Sequence, residues 1–258
     1  MTKTKLSTSK WTKYKILNRS EILRTHLPQT VWLKQRSFHR MIDKYGQVII
    51  KPTGSYGGKG VICIKRIAPQ SYQIHDGPHK NTFADKVNLY AHLKKKIHRN
   101  YIVQERISLA TVNGRPFDLR VMVQRHSNSP WQVTGKLAKI AGKGFIVTNI
   151  RMSSGKVVSV RQALKHSTLK NMSISELIAR MDKVALASAE QLSLSYPSVR
   201  TMGVDMGLDI KGDIWIIEVN FVPMLGLFLK LKDKSIYRKI RSFSQELTGS
   251  VDISRLLL

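Results

Sequence analysis

The sequence predicts an α+β chain of antiparallel hairpins and amphipathic helices, and three stretches carry that expectation. From Gly203 to Asn220 the residues alternate in period two on both sides of Lys211-Gly212, as half-buried strands do. Met202, Val204, Met206 and Leu208 share one face, opposite Gly203, Asp205, Gly207 and Asp209. Trp215, Ile217 and Val219 then oppose Ile216, Glu218 and Asn220. A second pair of strands, Gln47 to Lys51 and Val61 to Lys65, flanks a glycine-rich loop. Asn171 to Ser195 places Ile174, Leu177, Ile178, Met181, Val184, Ala185, Ser188 and Leu192 at helical spacing behind a capping box of Ser173 with Glu176.

The first hairpin suggests a metal site. Lys211-Gly212 fits a two-residue turn, with glycine supplying the positive φ. Pairing Ile210 with Asp213 sets Asp205 across from Glu218, and a symmetric four-residue loop gives the same register. Facing Cβ atoms would be about 5 Å apart, where like charges repel. Two facing carboxylates with an Asn two residues on suit a hard divalent cation. Mg²⁺ takes such oxygen donors and completes its shell with substrate phosphates. The second hairpin suggests a phosphate site. Gly54, Ser55, Gly57, Gly58, Lys59 and Gly60 form a loop whose backbone can approach a phosphate closely, with Lys51 and Lys59 adding charge. It is not a P-loop: three residues separate Gly54 from Gly58, and a strand rather than a helix follows. It reads as a flap.

Composition narrows the class. The 258 residues suit one large domain or two intimate lobes. The net charge of +28 favours polyanionic partners. The basic residues are not interleaved with an aromatic stacking platform, so a nucleic-acid enzyme is not favoured. The single Cys63 excludes an intramolecular disulfide and a cysteine metal cluster. No stretch is long and apolar enough to span a membrane, and no apolar signal core follows the basic N-terminus. A reducing cytoplasm is the expected location. Neither a GxSxG elbow nor zinc-type ligand spacing is present.

In order, residues 1–9 read as a polar tail, Lys10 to Arg24 as one helix, and Leu27-Pro28-Gln29-Thr30 as a connector. Val31 to Lys44 reads as a second helix, closed near Gly46. Pro69 to Phe83 reads as polar and irregular, and Phe83 to Lys96 as helical. Tyr101 to Gln104, Phe117 to Gln124, Trp131 to Ile140 and Phe145 to Ile150 read as strands, and Lys232 to Leu247 as a last basic helix. Asp118 and Arg120 are two apart and share a strand face. They could pair with each other, or Arg120 could offer its planar fork to a phosphate or carboxylate.

Several short motifs follow one another between Lys10 and Leu231: Leu27-Pro28-Gln29-Thr30, Ile50-Lys51-Pro52 with Gly57-Gly58-Lys59-Gly60, Ile102-Val103-Gln104-Glu105, Phe117-Asp118-Leu119-Arg120, Thr148-Asn149, and Gly203-Val204-Asp205 with Glu218-Val219-Asn220. In this order and spacing they resemble the ATP-grasp superfamily, and more narrowly the YheC/YheD-type proteins associated with the endospore coat. The resemblance implies two α+β lobes holding ATP between antiparallel sheets, and spore association. It implies that Lys51 reaches the nucleotide phosphates and that the flap residues Ser55, Gly57, Gly58 and Lys59 cover them. Gln104 and Glu105 would meet adenine, with Ile107 packing beside them, and Asp118 joins the cofactor-binding set. Lys10 matches an early nucleotide-contacting lysine. Asp205, Glu218 and Asn220 match the metal ligands, and Arg120 an arginine near the reactive phosphate. Lys139 stands where related ligases carry an arginine, and Met224 follows Pro223 where glycine is common; both departures fall on the acceptor side.

The expected organisation is a basic tail with helices (1–45), a small lobe with the flap (46–103), a large lobe with the metal site (104–235), and a basic helix and tail (236–258). The expected activity is ATP- and Mg²⁺-dependent carboxylate–amine ligation through an acyl phosphate, on an unidentified anionic acceptor. Mn²⁺ is the alternative metal. The competing readings are a kinase that stops at a phospho-product and a non-catalytic nucleotide- or polyanion-binding structural protein.

Overall fold

The computed structural model describes residues 6–55, 57–77, 79–97, 100–127, 129–143 and 154–245. The strand expected at Phe145 to Ile150, Thr148-Asn149, and the two ends of the chain lie outside them. Two antiparallel sheets organise the fold. The first holds β1 (Thr30–Trp32), β2 (Gln47–Pro52), β3 (Ile62–Ala68), β4 (Ser71–Asp76), β5 (His79–Phe83) and β6 (Tyr101–Glu105), in the order β1-β6-β2-β3-β4-β5. The second runs β10 (Lys156–Val158), β9 (Gln132–Ile140), β8 (Arg115–Gln124), β11 (Thr201–Leu208), β12 (Ile214–Asn220), with β7 (Thr111–Val112) beside β8.

The helices supply one core for each sheet. α3 (Gln35–Tyr45) and α4 (Lys86–Lys96) bury Phe38, Met41, Ile42, Leu89 and Leu93 against Val48, Ile50 and Ile64 of the first sheet. On the second sheet α1 (Lys10–Leu17), α2 (Glu21–Arg24), α5 (Val160–Lys165) and α6 (Ile174–Ser193) cover one face. Ile16, Leu17 and Leu23 pack there with Leu177, Met181 and Val204, so the first helices of the chain join the core of its last strands. A 3₁₀ turn (Leu225–Lys230) and α7 (Ser235–Gln245) cover part of the other face through Phe228 and Ile240 on Met122 and Leu137.

Several expectations need correction. The single helix from Lys10 to Arg24 is two, because Ser20 turns its hydroxyl onto the Leu23 amide and starts a new helix. The helix expected from Val31 begins only at Gln35. Thr30 to Trp32 instead pair with Gln104 to Ile102, a long-range ladder that local propensity does not reveal. Pro69 to Phe83 is not irregular: it contains the β4–β5 hairpin, whose Tyr72 and Ile74 point into the core.

The hairpin that suggested a metal site has the expected central pair and a different turn. The loop closes with the Asp209 amide on the Asp213 carbonyl at 3.0 Å, and Gly212 takes φ +79°. That is a three-residue loop whose last residue is left-handed. It sets Leu208 opposite Ile214, one residue out of the expected register. A bulge at Ile217 then restores it, so Asp205 faces Glu218 and Gly203 faces Asn220. Gly203 also sets a limit on packing: a Cβ there would lie 2.7 Å from Pro223 Cβ and 3.1 Å from Arg120 Cδ. Gly203→Ala is therefore expected to lower stability by about 1–3 kcal/mol in urea unfolding, the usual cost of overpacking.

Candidate functional site

The charged residues form a row across four adjacent strands of the second sheet. Lys139 on β9 pairs with Asp118 on β8; Arg120, two residues on, pairs with Asp205 on β11; Asp205 pairs with Glu218 on β12. Directly opposite side chains on one face are each other's nearest neighbours. Arg120 grips Asp205 with both arms of its fork, Nε to Oδ1 at 2.8 Å and Nη2 to Oδ2 at 2.7 Å. It does not pair with its own-strand neighbour Asp118. Lys139 Nζ lies 3.0 Å from Asp118 Oδ1 and donates to Asp205 Oδ1 at 3.1 Å. Asn220 Nδ2 donates to Asp205 Oδ2 at 3.1 Å.

Burial makes these pairs matter. Arg120, Lys139, Asp118 and Asp205 are each no more than 9% exposed. Burial alone would push the Asp205 carboxyl up, but Arg120 and then Lys139 hold it well below the usual carboxylate range. Burial likewise opposes the charges on Arg120 and Lys139; Asp205 raises the first above its ordinary value, and Asp118 with Asp205 raises the second.

A second group meets this row at β12, the edge strand of its sheet. Lys51, at the end of β2, donates to Gln104 Oε1 at 2.8 Å and to the Ile217 carbonyl at 3.3 Å. Gln104 continues to Thr30 Oγ1 at 2.8 Å, which donates to the Pro28 carbonyl at 2.9 Å. Lys10 bonds the Ser55 carbonyl in the glycine loop and stands 3.3 Å from Glu218 Oε1. Lys13 bonds the Val219 carbonyl. A narrow cavity of about 30 Å³, lined by Lys10, Lys13, Lys51, Gln104 and Glu218, lies where the two sheets meet. Burial pushes the Lys13 and Lys51 ammonium groups down to about 8; Glu218 and Asp205 oppose that shift and Lys10 adds to it. Among the described residues, five cations (Lys10, Lys13, Lys51, Arg120, Lys139) surround three carboxylates (Asp118, Asp205, Glu218).

Of the residues singled out from the sequence, Lys51, Gln104, Asp118, Arg120, Lys139, Asp205, Glu218 and Asn220 come together, and Ser55 touches the group through its carbonyl. Others stand apart. Glu105 Oε2 takes the Gln29 amide at 3.2 Å. Ile107 is half-buried after β6, and Gly57 and Lys59 are exposed on the loop, with Gly58 half-buried. Lys13 escaped the sequence reading; its spacing of three from Lys10, on one helix face, was the available signal. Among the described residues no three His, Cys, Asp or Glu side chains cluster as a metal site. The candidate donors are two carboxylates and an amide, a hard oxygen set that suits Mg²⁺ when phosphate oxygens complete the shell.

Two proteins of Bacillus subtilis (strain 168) are similar to the chain. Endospore coat-associated protein YheC is 22% identical over 221 residues, covering 83% of this chain and 59% of that protein. Endospore coat-associated protein YheD is 24% identical over 229 residues, covering 85% and 49%. The chain thus spans between about half and three-fifths of the length of these relatives. Among solved structures, the ATP-grasp ligase PsnB with a phosphomimetic variant of its minimal precursor, Mg and ADP superposes with a TM-score of 0.53 at 13% identity, covering 92% of this chain and 58% of that one. N5-carboxyaminoimidazole ribonucleotide synthetase from Thermotoga maritima gives 0.51 at 14% identity, covering 92% and 48%. These likenesses show the fold. A family model described as YheC/D like ATP-grasp matches residues 2–246, and the chain belongs to that family.

Proposed function

We propose that the chain is an ATP- and Mg²⁺-dependent ligase that joins a carboxylate to an amine through an acyl phosphate, with an anionic acceptor. The observation that carries this reading is the surplus of buried cations over carboxylates where the two sheets meet. A surplus of fixed positive charge in a dry site is costly until a polyanion enters. Lys51 and Lys10 are placed to bind phosphate oxygens, with Lys59 and the rest of the glycine loop above them. Gln104 and Glu105 on β6 would meet the base, with Ile107 packing beside it. Arg120 and Lys139 stabilise negative charge that develops as the phosphoryl group moves and as the amine attacks. Asp118 and Asp205 hold those two cations in place. Asp205, Glu218 and Asn220 would hold Mg²⁺, or Mn²⁺, which when bound neutralises phosphate charge. The similar fold of PsnB, solved with Mg and ADP, supports the choice of nucleotide and metal.

A second reading keeps the nucleotide site without turnover, as a polyanion-binding spore protein. The names of the relatives and the net charge of +28 favour it. Phosphate release separates the two. The ligase frees phosphate when its acceptor is added, the binder frees none, and a stable phospho-product would point to a kinase instead.

In thermal unfolding, ATP with Mg²⁺ is expected to stabilise the wild type by mass action, about 2.7 kcal/mol at a hundredfold excess over Kd. Glu218→Gln should lose the Mg²⁺-dependent part. A wild type unmoved by ATP and Mg²⁺ would refute the nucleotide site. Asp205→Asn should also weaken the unliganded protein, by roughly 3 kcal/mol or more, because it strands Arg120 and leaves Lys139 with Asp118 alone.

Lys51 gives a pH prediction. Its folded value of about 8 lies below the ordinary 10.5, so the folded state binds fewer protons between these values. Stability from this group therefore rises with pH across that window, and the cost of the buried ammonium is present below it. Relative to Lys51→Met, the wild type should gain stability from pH 8 to pH 10.5 in denaturant unfolding.

A further inference from the structure

Lys13 is a buried cation with an unusual partner. It is 7% exposed, and Ile16 and Leu17 on the same short helix are anchored in the core of the second sheet. Its ammonium bonds the main-chain carbonyl of Val219 and lies 5.0 Å from the centre of the Phe221 ring. Phe221 is fixed in turn by an edge contact to Tyr196 at 4.8 Å. Among the described residues Lys13 makes no ion pair, so its charge is held by a carbonyl and an aromatic face.

The carbonyl it holds belongs to the residue between Glu218 and Asn220. β12 is an edge strand, and among the described residues no strand covers its outer side. Side chains and a loop do so instead. The Ile214 carbonyl takes His26 Nδ1 at 2.8 Å, the Ile216 amide donates to the His26 carbonyl at 2.8 Å, and Lys51 holds Ile217. The bulge at Ile217 shifts the alternation, which leaves the Val219 carbonyl turned outward toward α1. Removing its donor would leave a buried carbonyl at the end of a strand unpaired.

We propose that Lys13 is a positioning residue for the metal ligands: by fixing the Val219 peptide it aims the Glu218 carboxylate and the Asn220 amide, which project from the neighbouring positions to the opposite side. The proposal rests on the assignment of Asp205, Glu218 and Asn220 as metal ligands made above. Val219 needs a donor there, and an arginine or a glutamine could supply one in part.

The test is a titration of the full chain with Mn²⁺ in the presence of ADP, read by electron paramagnetic resonance, beside ADP binding in EDTA and thermal unfolding. Lys13→Met should weaken Mn²⁺ binding about tenfold, the lower end of the cost of losing an outer partner of a metal ligand, and leave metal-free ADP affinity within about twofold. Its unfolding temperature should fall by no more than a few degrees, since the unpaired Val219 carbonyl is offset by removal of a buried ammonium. Lys13→Arg should recover part of the Mn²⁺ affinity. Where Lys13→Met fails to fold, Lys13→Ala, which also lacks a donor, is judged by the same affinity readings. An equal fall in metal-free ADP affinity would make Lys13 a phosphate ligand and overturn the proposal, as would unchanged Mn²⁺ binding. A wild type whose ADP complex takes up no Mn²⁺, or a Glu218→Gln variant that binds it normally, overturns the metal assignment itself and the proposal with it.

Discussion

Two of the buried cations, Arg120 and Lys139, stand where a carboxylate lies directly across a ladder. Arg120 and Lys139 are nearly inaccessible to water, and each would be costly alone. The register of β8 against β11 delivers Asp205 to Arg120, and that of β9 against β8 delivers Asp118 to Lys139. One carboxylate, Asp205, is shared by Arg120, Lys139 and Asn220, so three strands converge on it. The packing below the row follows from this. Gly203 has no side chain because Arg120 and Pro223 occupy that space.

The edge of β12 connects the two halves of the fold. An uncovered strand edge invites pairing with another chain. Here Lys51 from the first sheet and Lys13 from the first helix occupy it, with the His26 main chain and ring farther along. The same contacts bring the glycine loop to Glu218 through Lys10. The proposed binding site and the joint between sheets thus use the same atoms, and a polyanion entering there would meet cations from both.

Much of the site was legible because a strand displays its chemistry in period two. Asp118 with Arg120, and Glu218 with Asn220, needed only alternation to be placed on common faces. The pairing of Asp205 with Glu218 was reached through a turn that the structure does not have. The real loop is one residue out of the assumed register, and the bulge at Ile217 cancels the difference. Nothing local announces that bulge. The β4–β5 hairpin was misread because its alternation is short and its outward residues are polar. β1 was read as helix because its strand character comes only from its partner β6.

By itself the sequence determined which residue types are available, their alternation on strands, the caps of the long helix and the excess of positive charge. All of these follow from neighbours a few positions apart. The tertiary structure decided the partners. It gave Arg120 to Asp205 rather than to Asp118, turned Glu105 toward the Gln29 amide, and seated Lys10 and Lys13 against a strand more than two hundred residues away. Those choices depend on burial and on register between distant segments, where the cost of an unpaired charge or carbonyl selects among arrangements that look equal along the chain.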